Sequence, residues 1–78
     1  MNLLIVDDIE ANRKLLRVTL GAEGHQTLEA ADGLEALQIL ARESMDAVIS
    51  DILMPNMDGF RLCVEIRKSE RLHALPFI

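Results

Sequence analysis

Three acidic residues stand where short apolar runs stop. Asp7 and Asp8 follow Leu3-Leu4-Ile5-Val6, and Asp51 follows Ala47-Val48-Ile49-Ser50. Carboxylates brought within a few ångströms of one another repel, and each raises the pKa of the others unless a cation sits among them. A divalent metal removes that conflict. With carboxylate oxygens and no His or Cys nearby, the donor set favours a hard ion, Mg²⁺ or Ca²⁺, and a shell completed by several waters is characteristic of Mg²⁺. An Asp beside such an ion can attack a phosphoryl group to form an acyl phosphate, with the metal screening the charge of the phosphate and of the transition state. The acids also have plainer uses. Asp8 precedes a helical stretch, and Asp is a preferred N-cap; Asp58, before Gly59, reads as the opening of a helix or its turn. Asp51 has no cap to explain it, because it follows four residues of strand character.

The elements that must position these acids alternate along the chain. Leu3 to Val6 is a continuous apolar run of strand length, the pattern of a strand covered on both faces. From Ala11 to Ala22 the apolar residues Ala11, Leu15, Val18 and Ala22, with Leu16 and Leu20 alongside, recur at helical spacing. Gly21 and Gly24 mark the end of that helix, and His25 to Ala30 alternates as a second, more exposed strand. Asp32, three residues before Glu35, predicts a capping box ahead of Leu34, Leu37, Ile39 and Leu40, and a helix running to about Glu43. Ala47 to Ser50 is a third strand. Met54 to Gly59, with Pro55, is irregular. Phe60, Cys63, Val64, Ile66 and Arg67 predict a third helix, and Pro76-Phe77-Ile78 opens a fourth strand. Strands alternating with helices through short connections make parallel βαβ units with right-handed crossovers, in which ligands bind beyond the carboxyl ends of the strands. The three acids sit at two such ends.

Composition narrows the function classes. Among 78 residues, 8 Lys or Arg stand against 13 Asp or Glu, a net charge of −5, and half the residues are apolar. One small domain is the ceiling, and its core must be used well. An acidic chain without a basic cluster repels nucleic acid and anionic lipid, so neither is an expected partner. No apolar run is long enough to span a bilayer. Cys63 is the lone cysteine, and no export signal opens the chain, so the expected location is a reducing cytoplasm. Cys63 reads as packing, as do Met54 and Met57. His25 and His73 lie away from the acids, which leaves no histidine-based catalyst.

Taken together, Leu4-Ile5-Val6-Asp7-Asp8, Asp32-Gly33-Leu34-Glu35-Ala36-Leu37, Val48-Ile49-Ser50-Asp51 and Met54-Pro55-Asn56-Met57-Asp58-Gly59 resemble, in order and spacing, the receiver domain of two-component response regulators. The resemblance spans the whole chain. It implies a flavodoxin-like, doubly wound parallel sheet of order 2-1-3-4-5, of which residues 1–78 form a partial receiver with strands 1 to 3, helices 1 to 3 and the start of strand 4. Carried over residue by residue, it makes Asp51 the phosphoacceptor and Asp8 a direct Mg²⁺ ligand. Asp7 would lie close by, reaching the metal through water, and the backbone carbonyl of Leu53 would be the third protein ligand. Pro55 and Gly59 would shape the loop. The phosphoryl donor would be the phosphohistidine of a sensor histidine kinase, and an output domain could follow in a longer protein. Such a module is a signalling phosphoacceptor rather than an enzyme with turnover.

The family pattern also includes a Ser or Thr ending the fourth strand and a Lys ending the fifth, neither of which these residues supply. Lys14 and Lys68 fall on predicted helices. The expectation is a piece of a longer regulator that self-associates, with Leu15 and Val18 short of cover and an open strand edge at the third or fourth strand. Two other functions compete. One is a receiver fragment that acts only as a structural or assembly piece without phosphotransfer. The other, a haloacid-dehalogenase-like phosphatase, needs Asp-x-Asp at the strand end, whereas Asp51 is followed by Ile52-Leu53.

Overall fold

The computed structural model describes residues 1–78 apart from Leu53 and Pro55. Its order is β1 (Asn2–Val6), α1 (Glu10–Ala22), β2 (Gln26–Ala30), α2 (Gly33–Arg42), β3 (Ala47–Ser50) and α3 (Gly59–Lys68). The three strands are parallel, in the order β2-β1-β3. Leu4 stands opposite Leu28 on one side and Val48 on the other. Where the sequence predicts that Pro76-Phe77-Ile78 opens a fourth strand, Phe77 forms an isolated parallel bridge with Val48, and Ile78 N–H donates to the Val48 carbonyl at 2.8 Å. This is the first part of a flavodoxin-like sheet.

The central position of β1 explains its sequence. Leu3, Leu4, Ile5 and Val6 are all buried, because an inner parallel strand has helices over both faces. Leu4, Val6 and Val48 join Ala36, Ile39 and Leu40 of α2 and Leu62 and Ile66 of α3 in the core. Chain order then decides which helix covers which face. β1 to β2 moves outward and β2 to β3 returns past β1, so two right-handed crossovers put α1 and α2 on opposite faces.

The helix ends follow their local chemistry, with small departures from the sequence reading. At the end of α1, Gly24 adopts φ +87°; His25 N–H reaches the Leu20 carbonyl and Gly24 N–H the Gly21 carbonyl. That is a Schellman arrangement, which claims His25 and delays β2 to Gln26. Asp32 caps α2 by accepting from Glu35 N–H at 2.9 Å, and Asp58 caps α3 by accepting from Arg61 N–H at 2.8 Å. Glu43 is extended and lies just beyond α2. The Arg71 guanidinium donates to the Leu40 carbonyl in the last turn of α2, satisfying an acceptor the helix itself cannot.

The third helix forms where the spacing of Phe60, Cys63, Val64, Ile66 and Arg67 predicts one, though not all of these residues turn inward. Gly59, Leu62 and Ile66 are buried, whereas Phe60 and Val64 point outward, Phe60 being 69% exposed. The buried residues recur at i, i+3 and i+7 and the opposite side carries Arg61, Glu65 and Lys68, so the helix is amphipathic, with Phe60 and Val64 at the margin of its apolar side. On α1 no residue is fully buried, and Leu15 and Val18 are 67% and 60% exposed. No helix among the described residues is long and apolar enough to cross a membrane.

Candidate functional site

The order β2-β1-β3 makes β1 and β3 neighbours at the point where the winding reverses, which is where a crevice opens beyond the strand ends. Their pairing is parallel, with Val6 opposite Ser50, so the residues that follow emerge side by side. Asp51 N–H donates to the Val6 carbonyl at 2.9 Å and Asp7 N–H to the Ala30 carbonyl at 3.1 Å. The backbones of both acids are thus tied to the sheet. Asp7, Asp8 and Asp51 each offer a carboxylate oxygen within 4.8 Å of the others, Asp7 buried, Asp51 half-buried and Asp8 exposed. The expected cluster is present. Leu53, whose carbonyl the resemblance names as a ligand, lies outside the described residues, as does Pro55.

The three acids are held differently. Both oxygens of Asp7 are engaged: Oδ1 accepts from Ile9 N–H at 2.9 Å and Oδ2 from the Asn12 amide at 3.2 Å. Asp51 Oδ1 accepts from the next residue's N–H, that of Ile52, at 2.8 Å. Asp8 accepts none among the described residues, and Ile9 occupies the N-cap position of α1 without a side-chain cap. The capping explanation for Asp8 therefore fails. The carboxylate freest to meet an ion is the one a simple helix rule would have absorbed.

All the oxygens fit a hard cation. An ion with Mg²⁺–oxygen distances of about 2.1 Å spaces its ligand oxygens by roughly 3 to 4.2 Å, and the three carboxylate oxygens lie within 4.8 Å of one another. Asp8 and Asp51 would hold such an ion directly, while Asp7, committed to two protein donors, would add charge and anchor bridging water.

Sequence reasoning missed the supports around this centre. Arg13 donates from Nη1 to the Asp7 carbonyl at 2.7 Å and from Nε to Glu29 at 3.2 Å, and Arg17 reaches the other Glu29 oxygen at 2.7 Å. α1 is thereby pinned to the ends of β1 and β2. The Arg17 hydrogen bond, then the charges of both guanidiniums, hold the Glu29 carboxyl below its ordinary range against an opposing desolvation. Asp32 is likewise held down, by Glu35 N–H first and by the Asn56 amide second. The i, i+4 spacing of Arg13 and Arg17 was visible in the sequence; that Glu29 faces them was not. Gly59 is the other support. A Cβ there would lie 2.9 Å from Ile52 Cα and against the Asp51 carbonyl, so a glycine lets α3 start directly beneath the acid.

Comparison with known proteins decides the family, since the sequence profile of the response regulator receiver domain matches residues 3–78. The chain belongs to the receiver domain family. It is similar to the sensor histidine kinase RcsC of Salmonella typhimurium, 48% identical over 68 residues that cover 87% of this chain and 7% of RcsC. Among solved structures, the receiver domain of a signal transduction histidine kinase from Syntrophus aciditrophicus superposes with a TM-score of 0.95 at 36% identity, covering 97% of this chain and 58% of that one. The response regulator TrrA of Thermotoga maritima, solved in complex with Mg²⁺-BeF, gives a TM-score of 0.85 at 38% identity, with 90% and 61% covered. This receiver sequence thus spans about three fifths of the length of the solved domains it matches and a small part of the curated relative.

Proposed function

We propose that this receiver sequence is the phosphoacceptor portion of a two-component regulator, with Asp51 taking the phosphoryl group. The observation that carries the reading is the meeting of Asp51 with Asp8 and Asp7 at the carboxyl ends of β3 and β1, in a chain of the receiver family. The phosphoryl donor is the phosphohistidine of a sensor histidine kinase. An Asp51 carboxylate oxygen attacks phosphorus, the phosphorus–nitrogen bond breaks, and the imidazole leaves with the bonding pair and takes up a proton. Asp8 and Asp51 would hold Mg²⁺, with the Leu53 carbonyl as the third protein ligand that the family resemblance implies, and the ion when bound would screen the charge of the phosphoryl oxygens. The Mg²⁺-BeF complex of TrrA supports that choice of metal over Ca²⁺. The protein acts in the cytoplasm as a signalling module rather than a turnover enzyme, and any output domain belongs to the longer regulator.

The test is labelling of the full-length regulator with radioactive acetyl phosphate or a phosphorylated kinase, in Mg²⁺. A base-labile label on Asp51, absent from Asp51→Ala, is expected. An acid-stable, base-resistant label, or one that survives Asp51→Ala, would refute the assignment. No label in wild type would favour the structural-piece reading.

A further inference from the structure

The two ends of the β3–α3 connection meet at the acidic centre, because Gly59 N–H donates to the Ile52 carbonyl at 2.7 Å and the Gly59 backbone lies against Asp51. A second structure grips the far side of this loop. Asn56 Nδ2 donates to Asp32 Oδ2 at 2.7 Å, while Asp32 Oδ1 is occupied by Glu35 N–H at the start of α2. Beside it, Gly33 N–H donates to the Met57 carbonyl at 3.2 Å, and a Cβ on Gly33 would lie 2.7 Å from Met57 Cγ. Asn56 has φ +65°, a left-handed conformation that Asn tolerates better than most residues. Two adjacent loop residues are therefore fastened to two adjacent residues at the N-terminus of α2. These contacts join segments far apart in sequence, and neither Asp32 nor Asn56 belongs to the acidic cluster.

We propose that Asp32 and Asn56 are positioning residues: their side-chain clasp holds the β3–α3 loop against the N-terminus of α2 and so sets the Mg²⁺ affinity of the acidic centre. This rests on the metal reading above and adds two residues to it. Residues that orient a metal centre through its supports change affinity without touching the ion. Asp32 serves two partners with two oxygens, so its cap can be kept while the clasp is removed. Ser retains an N-cap oxygen for Glu35 N–H but offers the Asn56 amide no second carboxylate oxygen. At position 56, Gly keeps the left-handed backbone and deletes the amide.

The experiment compares wild type, Asn56→Gly, Asp32→Ser and the double variant in the full-length protein. Mg²⁺ titration by calorimetry is read together with amide exchange at Gly33 and Gly59. Each single variant should weaken Mg²⁺ binding about three- to tenfold, the span of one net hydrogen bond. The double variant should be no weaker than the worse single, because both remove one interaction. Exchange at Gly33 and Gly59 should quicken by a similar factor in all three. Unchanged Mg²⁺ affinity in the variants of a wild type that binds Mg²⁺ overturns the proposal, as does a double variant equal to the product of the singles. Unchanged exchange at both glycines overturns it on its own. A wild type that does not bind Mg²⁺ refutes the metal reading and with it the claim on affinity, whereas faster exchange in those same variants would still establish the clasp as the holder of the loop.

Discussion

Replacing Gly59 by Ala tests whether the start of α3 is set by its contact with the acceptor residue. The new Cβ would lie 2.9 Å from Ile52 Cα, 3.2 Å from the Asp51 carbonyl carbon and against the Asp51 carbonyl oxygen. Carbon atoms in ordinary contact sit about 3.5 to 4 Å apart, so α3 or the end of β3 must give by roughly half an ångström or more. Overpacking of this kind costs about 1 to 3 kcal/mol. Against it stands the gain of Ala over Gly in a helix, at most about 1 kcal/mol and less in the first turn. The net expectation is a loss of about 0.5 to 2 kcal/mol. A domain of this size holds on the order of 4 to 12 kcal/mol in all, so the loss is readily measured. With a urea slope near 1 kcal/mol per molar, the unfolding midpoint should fall by about 0.5 to 2 M. Mg²⁺ affinity should fall several-fold in parallel, because the displaced backbone is that of Asp51. Gly21→Ala supplies the opposite sign: no atom lies within 4 Å of its Cβ, and the helix gain of about 0.5 to 1 kcal/mol should appear as added stability. A Gly59→Ala midpoint equal to or above wild type, with the slope unchanged, would refute the close-approach argument.

Three further outcomes follow from the geometry. In an Asp8→Asn/Asp51→Asn variant, Mg²⁺ binding followed by NMR should be lost or weakened at least tenfold; affinity equal to wild type would end the case for a metal there. The folded-state pKa values of Glu29 and Asp32 are depressed, so the native state binds fewer protons, and their stabilisation, full above the ordinary carboxylate pKa, is lost as pH falls through the lowered values. Glu29→Gln should therefore flatten the fall in the urea midpoint between about pH 5 and pH 3, and an unaltered profile would show that the Arg13 and Arg17 contacts add nothing to stability. The exposed Leu15 and Val18 of α1 should promote association of the 78-residue chain, so Leu15→Glu/Val18→Glu should shift its sedimentation toward monomer; a wild-type monomer at micromolar concentration would contradict this.

Much of this fold could be read before any coordinates, because its determinants are local. Four consecutive apolar residues in β1 require cover on two faces, Asp32 and Asp58 announce the helices they cap, and Gly24 marks the end of α1. The acids at two strand ends were legible for the same reason: each directly follows the run that positions it. Spacing located α3, and the structure adds which of its apolar residues are covered: Leu62 and Ile66 are buried, whereas Phe60 and Val64 are exposed. What tertiary structure alone decided were relations between distant segments: that Asp7 rather than Asp8 serves the entry to α1, that Glu29 receives Arg13 and Arg17, and that Asn56 reaches Asp32. Sequence spacing fixes neighbours along one element, where rise and turn are constant. Partners across elements depend on the strand order that places β1 between β2 and β3, and no local rule carries that information.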